Sequence, residues 1–227
     1  MTYQSYFFDF DHTLFDSDAS EALAFDHALA DHLAPDLFAI YRRINAELWG
    51  DVEAGAINPV EVRTLRFERL VETASLQLDP LALADAFTAG MQNFGELYPG
   101  AAEVVTQLRE RAPVVMVTNA ISEIQRGRIE RLGIKSLFDA IVISSEVGVS
   151  KPSPAIFDHA FAALDDGGLD AASPSTTLMV GDSLTSDMAG GCAAGLSTCW
   201  FNPHRKTRTT TLALDHEIVE LGQLLSL

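Results

Sequence analysis

The chain of 227 residues is 48% hydrophobic and 21% charged, with a formal net charge of −17. That composition excludes intrinsic disorder and allows one domain with a large insertion or two small ones. An acidic balance also argues against a nucleic-acid polymer as partner, because such affinity rests on basic groups that neutralise phosphates.

No apolar run approaches a membrane span, and the amino terminus lacks the basic, apolar and cleavage segments of an export signal. A cytoplasmic monomer or small homo-oligomer with no membrane partner is expected. Cys192 and Cys199 have no zinc-ligand pattern around them and are expected as buried, reduced thiols.

The first stretch with chemical content is Tyr6-Phe7-Phe8-Asp9-Phe10-Asp11-His12-Thr13-Leu14-Phe15. It reads as a buried strand running out into two carboxylates, which period-2 geometry sends to the same side. In open α/β sheets the ligand crevice lies beyond the carboxyl ends of strands, so the Asp-x-Asp-x-Thr is a candidate site. Its structural alternative is an Asx-type turn.

Four helices follow, to about Phe94. The first is expected to open at Asp18, with Glu21 completing a capping-box-like start, and to carry Phe25, Leu29 and Leu33 on one stripe. The second begins after Pro35, with Leu37, Tyr41, Ile44 and Leu48 at helical spacing. Asn58-Pro59 and Asp79-Pro80 each read as an N-cap followed by an N1 proline. Phe67, Leu70, Val71 and Ala74 stripe the third helix; Leu83, Phe87, Met91 and Phe94 stripe the fourth.

From Gly95 onward helix and strand alternate, which implies a parallel sheet with right-handed crossovers. Strands are expected at 114–117, 140–143, 177–180 and 198–201. Thr118-Asn119 closes the first of these and Gly181-Asp182 the third. Lys151-Pro152 precedes a helix, and Asp187 lies one turn into the next. A basic stretch at 204–208 leads to a short C-terminal helix with Leu221, Leu224 and Leu225. The expected fold is α/β: a Rossmann-like doubly wound parallel sheet, residues 1–15 and 96–227, with a helical-bundle cap inserted at 16–95.

Strand ends then bring Asp9, Asp11, Thr118, Asn119 and Asp182 and, from the starts of the helices that follow, Lys151 and Asp187 to one crevice. Four carboxylates there require a cation, and an all-oxygen set without His or Cys suits Mg²⁺. The four segments, Asp9-Phe10-Asp11-His12-Thr13, Thr118, Lys151 and Gly181-Asp182-Ser183-Leu184-Thr185-Ser186-Asp187, resemble the motifs of the haloacid dehalogenase superfamily. The helical insertion resembles its C1-type cap.

That resemblance implies Asp9 as a nucleophile forming an aspartyl-phosphate, and Asp11 as general acid and then base. It implies Thr118, the backbone near Asn119, and Lys151 as the phosphate-binding set. The metal falls to Asp9, the Asp11 backbone carbonyl and Asp182, with Asp187 as ligand or orienter. The segments 48–57, 144–152 and 191–203 are further similar to pyrimidine 5′-nucleotidases, which implies a small phosphorylated substrate, a pyrimidine nucleoside monophosphate. A sugar-phosphate phosphatase or mutase shares the core, and a phospho-acceptor signalling module shares the acids, Thr and Lys. In the bundle, Trp49 reads as a core residue, and Arg63 and Arg66 as exposed helix-face residues.

Overall fold

The computed structural model describes residues 3–32, 34, 36–169 and 173–227. Side-chain alternation along the first strand, β1 (Ser5–Phe8), sets its layers: Tyr6 and Phe8 join one hydrophobic cluster and Phe7 another. Around it lie β2 (Val114–Thr118), β3 (Ala140–Ile143), β4 (Thr177–Gly181), β5 (Ser197–Phe201) and β6 (His216–Ile218). The six strands are parallel, in the order β3-β2-β1-β4-β5-β6. The order reverses beside β1, so the ends of β1, β2 and β4 open on the switch-point crevice of a doubly wound sheet.

Between β1 and β2 the chain builds α1 (Ser17–Leu29), α2 (Leu37–Glu53), α3 (Pro59–Thr73) and α4 (Pro80–Asn93). They bury a core of their own, with Phe25, Tyr41, Leu48, Phe67 and Phe87 all fully enclosed. Asn58 and Glu61 form a complete capping box on α3, and Asp79 accepts from the Leu81 N–H at the start of α4. The two chain crossings are themselves paired: the Asp16 N–H donates to the Glu96 carbonyl at 3.0 Å, and the Tyr98 N–H to that of Leu14 at 2.8 Å.

The sheet's faces are covered by α5 (Ala101–Arg109) and α6 (Ser122–Leu132) on one side, through Val104, Val105, Leu108 and Ile129. After a short α7 (Ser144–Val147), α8 (Ala155–Asp166) covers the other with Ile156, Phe157, Ala160 and Leu164. A π-helical turn at Leu184–Met188 leads into α9 (Ala189–Ala193). Among the described residues no helix is long and apolar enough to cross a membrane.

Four local expectations change. The N-cap of α1 is Asp16, whose carboxylate accepts from the Ala19 N–H at 3.1 Å, which leaves Glu21 free to turn inward. The edge strand β6 was not foreseen, because His-Glu-Ile buries only Ile218 and offers no apolar run. The C-terminal leucines sit on a 3-10 turn, Leu221–Ser226, instead of an α-helix. Cys199 is buried, whereas Cys192 is only half-buried. Leu33 and Pro35, expected at the end of the first helix and the start of the second, lie outside the described residues.

The bundle depends on one close helix contact. A Cβ on Gly90 of α4 would lie 2.8 Å from the Ala24 Cα and 2.9 Å from its Cβ on α1. Gly90→Ala gains about 1 kcal/mol of helix propensity and loses about 1–3 kcal/mol to overpacking against a backbone that has little room to move. Urea unfolding is expected to show a net loss of stability. A variant at least as stable as the parent would contradict this contact.

Candidate active site

A buried ammonium organises the crevice. Lys151 is 1% exposed, and its Nζ donates to Asp9 Oδ1 at 2.7 Å and to the Val117 carbonyl at 2.7 Å. The same nitrogen lies 2.7 Å from Asp187 Oδ1. Its backbone is clamped by one side chain: the Lys151 N–H donates to Asn119 Oδ1, and Asn119 Nδ2 donates to the Lys151 carbonyl, both at 2.8 Å. The Asn119 amide is thus committed to placing Lys151. Thr118 ends β2 fully buried, with a hydroxyl that has no partner among the described residues.

Asp9 continues the β1–β4 pairing, its N–H donating to the Val180 carbonyl at 2.9 Å. Thr13 ties two motifs together: its hydroxyl donates to Asp9 Oδ2 and accepts from the Asp182 N–H, both at 3.1 Å. The Ser183 N–H donates to Asp187 Oδ2 at 3.0 Å, and Gly181 makes room for that carboxylate. A Cβ at position 181 would sit 2.2 Å from Asp187 Oδ2.

The electrostatics leave a deficit of positive charge. Burial raises the Asp9 carboxyl well above its ordinary pKa, with Asp187 and Asp182 adding to the rise and Lys151 opposing it. Burial, then Asp187, pushes Asp182 up to about 6. Burial alone would lower the Lys151 ammonium, but Asp187 and Asp9 outweigh it and its pKa is raised. Asp9 and Asp187 therefore share one lysine, with the Asp182 carboxylate close beside them.

Oxygen atoms of Asp9, Asp182 and Asp187 all lie within 4.8 Å of one another. The Asp182 carboxylate makes no hydrogen bond to the described residues, and neither does the Asp11 carbonyl. A divalent cation with a preference for oxygen fits this donor set.

The Asp11 carboxylate does not join that cluster. Its Oδ1 accepts from Ser17 Oγ at 2.5 Å and from Arg128 Nη1 at 2.8 Å. Arg128 of α6, 2% exposed, also donates through Nε to the Met91 carbonyl at 2.9 Å and through Nη2 to Ser20 Oγ at 3.3 Å. One guanidinium thus holds Asp11 and both ends of the helical insertion. A left-handed His12 (φ 60°) makes the turn that aims Asp11 this way.

Asp9, Asp11, Asn119, Arg128, Lys151, Asp182 and Asp187 line a cavity of about 480 Å³ between the sheet edge and the inserted helices. It also takes in Glu21, Asn45, Trp49, Glu53 and Arg66. One expectation fails here: Arg66 is 2% exposed rather than on a solvated helix face. Trp49 packs against the bundle core as expected and also borders the cavity. Arg63 is partly buried and pairs with Asp85 and Glu123. For Arg128 the sequence offers only the signal of a charged residue beside the apolar Ile129 of α6.

Residues 3–195 match the family model of the haloacid dehalogenase-like hydrolases. The chain belongs to that family. Among its relatives, the pyrimidine 5′-nucleotidase YjjG of Escherichia coli is 37% identical over 95% of this chain and 96% of its own. The pyrimidine 5′-nucleotidase PynA of Streptococcus pneumoniae is 32% identical over 99% and 94%. The crystal structure of the HAD-hydrolase YfnB of Bacillus subtilis, bound to magnesium, matches with a TM-score of 0.88 at 32% identity over 100% of this chain and 98% of that one. As a haloacid dehalogenase-like hydrolase with nucleotidase relatives over its full length, the chain is an enzyme of phosphatase type.

Arg128→Lys preserves the charge and loses the planar fork that reaches Asp11, Met91 and Ser20 at once. Losing two of those bonds in a buried setting should lower unfolding stability by about 2 kcal/mol. An unchanged urea midpoint would show that the fork does not join the insertion to the sheet.

Proposed function

We propose that this hydrolase removes phosphate from small monoesters, with pyrimidine nucleoside 5′-monophosphates as its substrates. The observation that carries the reading is the Asp9–Lys151 pair, a buried carboxylate with one oxygen fixed by an ammonium at 2.7 Å beside the clustered acids Asp182 and Asp187. The full-length similarity to two pyrimidine 5′-nucleotidases supports the substrate class. In this reading residues 1–15 and 96–227 are the catalytic core and 16–95 the cap that covers the substrate.

Asp9 attacks phosphorus, and the ester P–O bond breaks as an aspartyl-phosphate forms. Asp11 gives its proton to the departing alkoxide. Water then attacks the same phosphorus, Asp11 takes its proton, and the acyl-phosphate P–O bond breaks to return the Asp9 carboxylate and inorganic phosphate. Lys151 and the Thr118 hydroxyl hold phosphoryl oxygens, and Asn119 positions Lys151 while its backbone faces the phosphate. A magnesium ion held by Asp9, the Asp11 carbonyl and Asp182, with Asp187 orienting, would neutralise phosphoryl charge. Arg128 and Ser17 fix the Asp11 carboxyl against the chain crossing, so proton transfer is tied to the position of the cap.

Asp9→Asn should lose at least about a thousandfold in kcat while keeping its fold by circular dichroism, since one chemical step has lost its nucleophile. Activity within about tenfold of the parent would remove Asp9 from that role. Chelation should abolish release of phosphate from UMP, and added Mg²⁺ should restore it. Full turnover after exhaustive chelation would remove the metal from the reaction.

A further inference from the structure

Two residues of the inserted helices that border the cavity carry buried side-chain hydrogen-bonding atoms without a partner among the described residues. The guanidinium of Arg66, on α3, sits 4.3 Å from the Phe87 ring centroid and 5.6 Å from that of Phe67. Its Nη1 makes only a long contact, 3.5 Å, to the Tyr41 hydroxyl. Its Nε and Nη2, the two donors on one edge of the guanidinium, are buried without a partner among the described residues.

Asn45, on α2, donates through Nδ2 to Glu21 Oε1 at 2.7 Å, and the Tyr41 hydroxyl donates to the same oxygen at 3.0 Å. A carboxylate only accepts, so the Asn45 amino group is the end facing Glu21 and Oδ1 is the end left over. That Oδ1 is buried and unpartnered. Orphaned buried donors and acceptors are rare because they are costly, and here both kinds border one cavity with Trp49, Asp9 and Lys151.

We propose that Arg66 and Asn45 read the base of the substrate, with Arg66 Nε and Nη2 donating to a ring carbonyl and Asn45 Oδ1 accepting from the adjacent ring N–H. The matching edge is that of a pyrimidine-2,4-dione, uracil or thymine. A carbonyl oxygen has two lone pairs and takes both Arg66 donors; the ring nitrogen that cytosine or adenine presents beside its amino group has one. A second phosphate or a carboxylate would satisfy Arg66 but set an acceptor against Asn45 Oδ1 and a negative charge near Glu21. Glu21 and Tyr41 are positioning residues in this scheme, since they orient the Asn45 amide. The subsite rests on the nucleotidase reading above.

The test compares kcat/KM for UMP, 3-methyl-UMP, CMP, GMP and ribose 5-phosphate, first in the unaltered enzyme. UMP is expected to exceed 3-methyl-UMP and CMP by about 30-fold, the scale of losing a hydrogen bond to a buried partner. In Asn45→Ala the ratio of UMP to 3-methyl-UMP should fall to within about threefold, because the group that senses N3–H is gone. Arg66→Met should lower the ratio of UMP to ribose 5-phosphate by about 30-fold. If UMP is preferred to ribose 5-phosphate but 3-methyl-UMP or CMP is hydrolysed within about threefold of UMP, the subsite is wrong and the nucleotidase reading stands. If GMP matches UMP, the carbonyl-reading edge does not select pyrimidines, and the proposal falls. If ribose 5-phosphate equals UMP, both fall. The substrate comparison in the unaltered enzyme decides the matter even where a cap variant fails to fold.

Discussion

A lysine ammonium withdrawn from water beside two carboxylates is the constraint around which this molecule is arranged. Desolvating Lys151 is costly, and Asp9 and Asp187, each 2.7 Å away, offset that cost. The same attraction fixes three chain segments relative to one another: the end of β1, the loop before α8 and the turn after β4. Because the site holds more carboxylates than lysines, its donor set fits a divalent cation.

A second arginine-centred junction joins chemistry to architecture. Arg128 reaches Asp11, the Met91 carbonyl near the end of α4 and Ser20 near the start of α1, while its guanidinium carbon lies 4.6 Å from the Phe15 ring centroid. The neighbouring Arg131 donates to the carbonyls of Gln92 and Gly95 on the return crossing. So α6, a helix of the sheet layer, grips the insertion where it leaves and where it returns. A displacement of the inserted helices would act on the Asp11 carboxylate through Arg128.

Much of the fold was legible because its signals are local. Strand ends announce themselves as an apolar run stopped by Asp or Thr, and caps such as Asn58-Pro59 and Asp79-Pro80 are set by adjacent residues. Glu21 shows how a local signal misleads: three residues after Asp18 it mimics a capping box, yet Asp16 caps the helix and Glu21 turns inward to Tyr41 and Asn45. β6 escaped because an edge strand with one buried residue carries no pattern. Arg66 and Arg128 were hidden for a different reason. Arginine on a helix ordinarily faces solvent, and what buries these two is an aromatic ring or carboxylate on another element, which spacing within one helix does not encode.

The central claim is that Asp9, held by Lys151, carries the phosphoryl group during turnover. Its most direct test is to quench Asp11→Asn during reaction with p-nitrophenyl phosphate and Mg²⁺, reduce with borohydride, and sequence the peptides by mass spectrometry. An acyl-phosphate at position 9 is reduced to homoserine, and the account predicts that change at Asp9 alone, dependent on both substrate and metal. Homoserine at any other aspartate, a reduced glutamate, or an unmodified Asp9 in an enzyme that is turning over would contradict it.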